Sequence, residues 1–268
     1  MKQPRQWAVR GRPGLLIGLL LLMACLCGCP PPKSEGPIPL KVAMDPRIGE
    51  PFVYQPTKDT FGGFEVDICR YLAARLQRPL QIVPVAWAQL PETVRKKKAD
   101  LALNAIEKPP AGQIPPELAV TRHYYTAYQQ LAVRKKDKFT YNLSDLKGKK
   151  VGVVDGSVAQ LLLQELNKLK QAKITIVPFP TPEAAFGALA AAQVQGTLTE
   201  RAVASWFSWK NGKTRLTGEP ITQEIPYVGL VRADNLQLQQ AIDGALTKGI
   251  KDPAFKKIFD KWHVSIKR

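Results

Sequence analysis

The chain has 268 residues, with 39 Lys and Arg against 22 Asp and Glu and a formal charge of +17 at neutral pH. This charge suits an anionic membrane surface or an acidic partner. No zinc-finger spacing or recognition motif points to nucleic acid, and runs such as Arg95-Lys96-Lys97-Lys98 and Arg134-Lys135-Lys136 read as solvated faces.

The N-terminus is basic, with Lys2, Arg5, Arg10 and Arg12, and continues into the apolar run GLLIGLLLLMACL. That order describes an export signal. The run is too short for a membrane span, which needs ~20 apolar residues. Cys25, Cys27 and Cys29 follow in LLMACLCGCPPP. Leu26-Cys27-Gly28-Cys29 resembles the bacterial lipobox, in which the last cysteine is lipidated and becomes the new N-terminus. Leu22-Met23-Ala24-Cys25 is an alternative, and an ordinary signal cut nearby is another. Cys29 is preferred because the Pro-rich tether of residues 30–38 starts directly after it. A metal cluster is disfavoured, since the cysteines lie in an apolar run far in sequence from His123 and His263. Once the signal is removed, Cys69 is the one unmodified thiol, so an intrachain disulfide is excluded and the core must hold the fold.

From Leu40 strand and helix alternate. LKVAM reads as a strand. GFEVDICRYLAARL reads as a helix, with Phe64, Ile68, Leu72 and Leu76 on one face. LQIVPV, the short helix LPETVRKKK and the strand DLALNA complete a βαβαβ unit. The pattern restarts at KKVGVV, which enters a helix through Asp155-Gly156-Ser157 with Val158, Leu162, Leu166 and Leu169 on one face. KITIVPF is a strand, TPEAAFGALAAAQV a helix with Pro at its start, GTLT a strand and ERAVASWFSW a helix. IPYVGLVR reads as one more strand, and two helices end the chain. The carboxyl ends of the strands carry polar residues: Asp45, Asn104 with Glu107, Asp155 with Ser157, and Thr199 with Glu200. Ligands of open α/β sheets sit at such ends, so these four suit a shared cleft.

The segments GGFEVDICRYLAARL, KADLALNA, YYTAYQQLAVRKK, SDLKGKKVGVVDGSVAQLLL, VQGTLTERAVASW and DPAFKKIFDKW, with the Trp of VAWAQL, resemble the extracellular solute-binding proteins of the polar-amino-acid type that serve ABC importers. The resemblance covers the chain from Leu40 to about Val264. It implies an α/β, two-lobed periplasmic-binding-protein-like fold of type II, each lobe a βαβ sheet, joined by two crossing hinge strands near residues 130–133 and 227–231. The organisation it implies is residues 1–29 signal with lipobox cysteine, 30–38 tether, 39–129 plus 226–268 lobe one and 134–225 lobe two. A ligand binds between the lobes and the hinge closes over it.

By the same resemblance, Trp87 stacks on the ligand, and Asn104 and Ala105 offer backbone groups. Gly156 and Ser157 open a helix whose N–H groups hold a carboxylate. Glu200 takes the place of the aspartate that binds the ligand's α-ammonium. Two departures stand out. The arginine that clamps the ligand carboxylate is missing from Ile106-Glu107-Lys108-Pro109-Pro110-Ala111-Gly112, and Glu107 falls where a hydroxyl is expected. Val158 replaces a threonine.

Glu107 and Glu200 are therefore expected to face each other across the cleft. Two close carboxylates repel unless a cation sits between them. The ligand expected is a small molecule with a cationic group, and Glu107, Trp87, Asn104, Ala105, Gly156, Ser157 and Glu200 are its candidate contacts. The expected protein is an exported, lipid-anchored monomer on the periplasmic or extracytoplasmic face, without metal or cofactor, partnered by an ABC permease. Two other readings stay open. One is an accessory protein of a periplasmic dehydrogenase docking to a protein partner. The other is a dehydratase-like enzyme using Glu200 as general acid.

Overall fold

A computed structural model of the chain describes residues 36–110, 112–169 and 173–264. Cys25, Cys27, Cys29 and residues 30–35 of the tether lie outside the described residues. Pro37–Arg268 forms one compact unit.

The chain opens with β1 (Leu40–Met44), the hairpin of β2 (Tyr54–Thr57) and β3 (Thr60–Gly62), and α1 (Phe64–Arg75). It continues through β4 (Leu80–Pro84), α2 (Leu90–Arg95), β5 (Leu101–Ala102) and β6 (Leu118–Val120). Next come β7 (Tyr125–Ala127), β8 (Gln129–Arg134), β9 (Lys150–Val154), α3 (Val158–Lys168) and β10 (Thr175–Phe179). Then follow α4 (Pro182–Ala190), β11 (Gly196–Glu200), α5 (Arg201–Asn211) and β12 (Thr214–Thr217). The last elements are β13 (Ile225–Tyr227), β14 (Leu230–Arg232), α6 (Leu236–Lys251) and α7 (Pro253–Lys261).

Two five-stranded sheets result, in the orders β4-β1-β5-β14-β6 and β10-β9-β11-β8-β12. In each, three strands pair parallel, and a reversed strand (β14 or β8) pairs antiparallel with both the third and the edge strand, so four strands share one direction. The parallel part follows from the βαβ order, because a parallel neighbour needs a crossover helix. Each sheet is the centre of a lobe, and the two-lobed α/β fold expected from the sequence is present.

The crossings lie at the antiparallel pair β7 and β13, where Tyr125 is opposite Tyr227. This is earlier than residues 130–133, which belong to β8 in the second sheet. IPYVGLVR is likewise two strands. Its first half stays in the hinge and its second half joins the first sheet. At the break, Val228 N–H donates to the Ile106 carbonyl at 2.9 Å and Gly229 N–H to Thr121 Oγ1 at 2.9 Å. Those partners lie outside both ladders, so the strand changes sheet without orphaned donors.

The face of α3 also differs from the expectation. Ala159 and Leu163 are its buried residues, Leu162 and Leu166 pack at the edge of the core, and Val158 and Leu169 are exposed. Residues four apart drift by ~40° per step around a helix of 3.6 residues per turn, so a long series with that spacing spirals off the core. On α1 Phe64, Ile68 and Leu72 are fully buried as expected, with Cys69 beside them, while Leu76, just past the end of the helix, is only partly buried.

Gly63 sets the entry to α1. Its φ is 123°, and a Cβ there would lie 1.9 Å from the Phe52 carbonyl oxygen. Only glycine combines that backbone with that approach. Across the lobes, Trp206 of α5 packs on Trp262 with centroids 5.3 Å apart, and its indole N–H donates to Glu50 Oε2 at 3.0 Å. Lys210 Nζ donates to the same oxygen at 2.7 Å.

Candidate functional site

The end of β1 begins the site. Asp45 is buried, and its carboxylate accepts from the Trp87 backbone N–H at 2.8 Å. It also accepts from Arg47 Nε at 2.9 Å and Nη2 at 2.7 Å. The Arg47 guanidinium beside it, together with the backbone donors, holds Asp45 down to about 2. Trp87 is 45 % exposed, and its indole N–H donates to the Asn104 carbonyl at 3.0 Å. One end of the ring is thus fixed while a large part of it stays open.

Asn104 is fully buried, and its side chain is committed to the lobe. Oδ1 accepts from Asp45 N–H at 2.5 Å and Nδ2 donates to Glu65 Oε2 at 3.4 Å. Ala105 has φ 48°, and its N–H donates to Glu65 Oε1 at 2.7 Å. The Tyr124 hydroxyl donates to the same oxygen. Burial pushes Glu65 up to about 7 against the pull of these donors.

Glu200 ends β11 in the other lobe. Its Oε2 accepts from the Tyr227 hydroxyl at 3.1 Å. Its Oε1 and the hydroxyl of Tyr125 are both buried and make no hydrogen bond of good geometry, although the two groups lie close enough for Tyr125, with the Ala202 backbone N–H, to draw the carboxyl down. Burial pushes Glu200 up to about 8; the Tyr227 hydroxyl opposes this and the nearby charge of Glu65 adds to it. The carboxylate facing Glu200 electrostatically is therefore Glu65 as well as any acid at the rim.

Glu107 is exposed and forms an isolated bridge with Tyr227 through the backbone. Among the described residues no ion pair joins it to Lys108 or Arg122. Tyr227 thus links the two expected acids, with its backbone at Glu107 and its hydroxyl at Glu200. A cavity of about 490 Å³ lies in the first lobe, lined by Trp87, Ala105, Ile106, Glu107, Pro109 and Ile114 among others.

Gly156 and Ser157 sit at the start of α3, as the sequence implies. Gly156 N–H donates to Gln160 Oε1 at 2.7 Å, and Ser157 Oγ caps the helix by accepting from Gln160 N–H at 3.3 Å. The structure brings Trp87, Ala105 and Glu107 to one cavity, places Asn104 beneath them, and sets Glu200 against the hinge.

Sequence reasoning missed Glu65, Tyr124, Tyr125 and Tyr227 as site residues. An acid in the first turn of a helix is ordinarily explained by the helix dipole, which hides Glu65. The available signal was its place between the apolar residues Phe64 and Val66, both of which the fold buries completely.

Residues 40–265 match the bacterial extracellular solute-binding proteins, family 3. The chain belongs to that family. A putative ABC transporter arginine-binding protein 2 of Escherichia coli K12 is 26 % identical over 217 residues, covering 79 % of this chain and 86 % of its own. A lysine/arginine/ornithine-binding periplasmic protein of the same organism is 26 % identical over 230 residues, covering 80 % and 87 %. Among solved structures, an ancestral cationic amino acid solute-binding protein superposes with a TM-score of 0.73 at 22 % identity, covering 84 % of this chain and 95 % of that one. This last likeness establishes the shared two-lobed fold. Among the described residues, no helix is long and apolar enough to cross a membrane and no cluster of His, Cys, Asp and Glu has the makings of a metal site.

Proposed function

We propose that this family member is the receptor of an ABC importer and captures a small, amine-bearing solute between its lobes. The observation that carries the reading is the pair of buried acids, Glu65 and Glu200, contributed by opposite lobes, bonded to Tyr124 and Tyr227 and close enough for the charge of one to raise the proton affinity of the other. A ligand ammonium placed there relieves the repulsion and satisfies Glu200 Oε1. Because it touches both lobes, it favours the closed arrangement through contacts made only there. The curated relatives named for arginine and for lysine, arginine and ornithine support a cationic ligand.

Export and a lipid anchor at Cys29 complete the proposal. The tether then holds the receptor at the membrane, raising its effective concentration near the permease. The test of capture is thermal unfolding of the chain against amino acids, amines and organic acids. A ligand at ~100 times its dissociation constant stabilises by ~2.7 kcal/mol. Amines or cationic amino acids are expected to raise the melting temperature, and Glu200→Ala to abolish the rise; a response to anionic solutes alone overturns the reading. The anchor is tested by Cys29→Ala, which is expected to move the protein from the membrane to the soluble fraction.

A second reading draws on Glu200 alone. A carboxyl pushed up to about 8 is protonated at neutral pH, as a general acid must be. Turnover of a carboxylate substrate that is lost in Glu200→Gln would establish it.

A further inference from the structure

The site is rich in carboxyl groups, which a cation would hold ionised, and the groups that would receive a ligand carboxylate are already engaged. Arg47 gives both Nε and Nη2 to Asp45. Ala105 N–H is taken by Glu65, and Gly156 N–H by Gln160. Ser157 Oγ serves as the cap of α3. Arg201 donates to Gln130 Oε1 at 2.9 Å and lies over the Tyr128 ring. Burial, and then the charges of Arg122 and Lys108, disfavour protonation of His123.

The 490 Å³ cavity beside Trp87 has a different character. Its walls are apolar, with Pro91, Ile106, Pro109, Ile114 and Leu118, and Glu107 is the charged residue among its described lining. A volume of this size is in the ~300–1,000 Å³ range of small-molecule sites. The open part of the Trp87 ring offers a surface to a cation or an alkyl chain. Tyr227 joins the two acids, its backbone bridged to that of Glu107 and its hydroxyl on Glu200 Oε2.

We infer that the preferred ligand is an amine without a carboxylate, namely a short-chain diamine or amino-guanidine, with one cationic end at Glu200, its alkyl chain along Trp87 and its other cationic end at Glu107. This rests on the receptor reading above and narrows it. An α-amino acid would bring its carboxylate among Glu65, Glu107 and Glu200, with the neighbouring donors already committed. Removing the carboxylate leaves the favourable contacts and eliminates that repulsion.

The experiment is isothermal titration of the full chain, solubilised in detergent, with two matched pairs: arginine against agmatine, and lysine against cadaverine. Each pair differs by one carboxylate. Agmatine and cadaverine are expected to bind at least tenfold more tightly than their parent amino acids. Equal affinities, or tighter binding of arginine and lysine, overturn the inference and leave the receptor reading standing. Binding of none of the four overturns the receptor reading itself. Glu107→Gln, at an exposed position, is expected to weaken agmatine at least tenfold with no change in melting temperature. An unchanged affinity in that variant overturns the placement of the second cationic end.

Discussion

The ligand-free protein is expected to lose stability as pH rises from 5.5 to 8.5, because of Glu65 and Glu200. Both carboxyls sit above their ordinary value of 4.5, at about 7 and about 8. Between the unfolded and folded values the native state holds protons that the unfolded chain has released, so each rise in pH favours unfolding. The stabilisation is full below about 4.5 and is lost as pH passes through 7 and 8. At ~1.4 kcal/mol per unit, the part of each shift inside the window is ~2 kcal/mol for Glu65 and ~3 kcal/mol for Glu200. The two groups interact, so ~3–5 kcal/mol for the pair is the working figure. Asp45, held down to about 2, titrates below this window and does not mask the effect. For a domain of this size that loss corresponds to a melting temperature lower by ~10 °C. The assay is urea unfolding of the ligand-free chain at pH 5.5, 7.0 and 8.5, for wild type and Glu200→Gln. The amide keeps the shape of the protonated carboxyl and cannot ionise, so the variant is expected to lose about half of the wild-type slope. Equal stability of wild type at pH 5.5 and 8.5, or an unchanged slope in Glu200→Gln, refutes the reasoning. A saturating cationic ligand is expected to flatten the wild-type slope, since it favours the ionised carboxylates.

Trp87→Ala removes the exposed ring face and the indole donor to Asn104, and is expected to weaken an amine ligand ~10-fold with a stability loss of only ~1 kcal/mol. Calorimetry and melting measured together separate the two effects; a large loss of stability would make the ring a packing element. Cys69 is buried, and burial pushes its thiol far above the ordinary range. It is expected to react with a thiol reagent only after unfolding, and rapid labelling of the native C25A/C27A/C29A chain would contradict that placement. Gly63→Ala sets a Cβ against the Phe52 carbonyl at a backbone angle that L side chains rarely adopt. A cost above ~3 kcal/mol is expected from strain and displacement of α1. A melting temperature within 2 °C of wild type, on the order of the error in such shifts, would refute the geometry.

The sequence by itself determined the local elements and their class. The alternation of β-rich runs and helices of period 3.6 sufficed for βαβ units, and the two-lobed arrangement came from the family resemblance carried by GFEVDICRYLAARL, LKGKKVGVVDGS and FKKIFDKW. These signals are local, so a linear reading finds them. Trp87, Ala105 and Glu107, singled out by alignment with the family's pattern, are gathered by the structure at one cavity. What only the tertiary structure decided depends on neighbours distant in the chain. Glu65 becomes part of the site through Ala105, Tyr124 and the field it exerts on Glu200, residues 40 to 135 positions away. The hinge lies at β7 and β13 because Tyr125 and Tyr227 pair across 102 positions, which neither segment announces alone. Gly156 keeps its place at a helix start, yet its N–H is taken by a glutamine one turn on, a side-chain choice that spacing does not reveal. Propensity and periodicity are properties of a segment, whereas burial, proton affinity and partner choice are properties of what the folded chain packs around it.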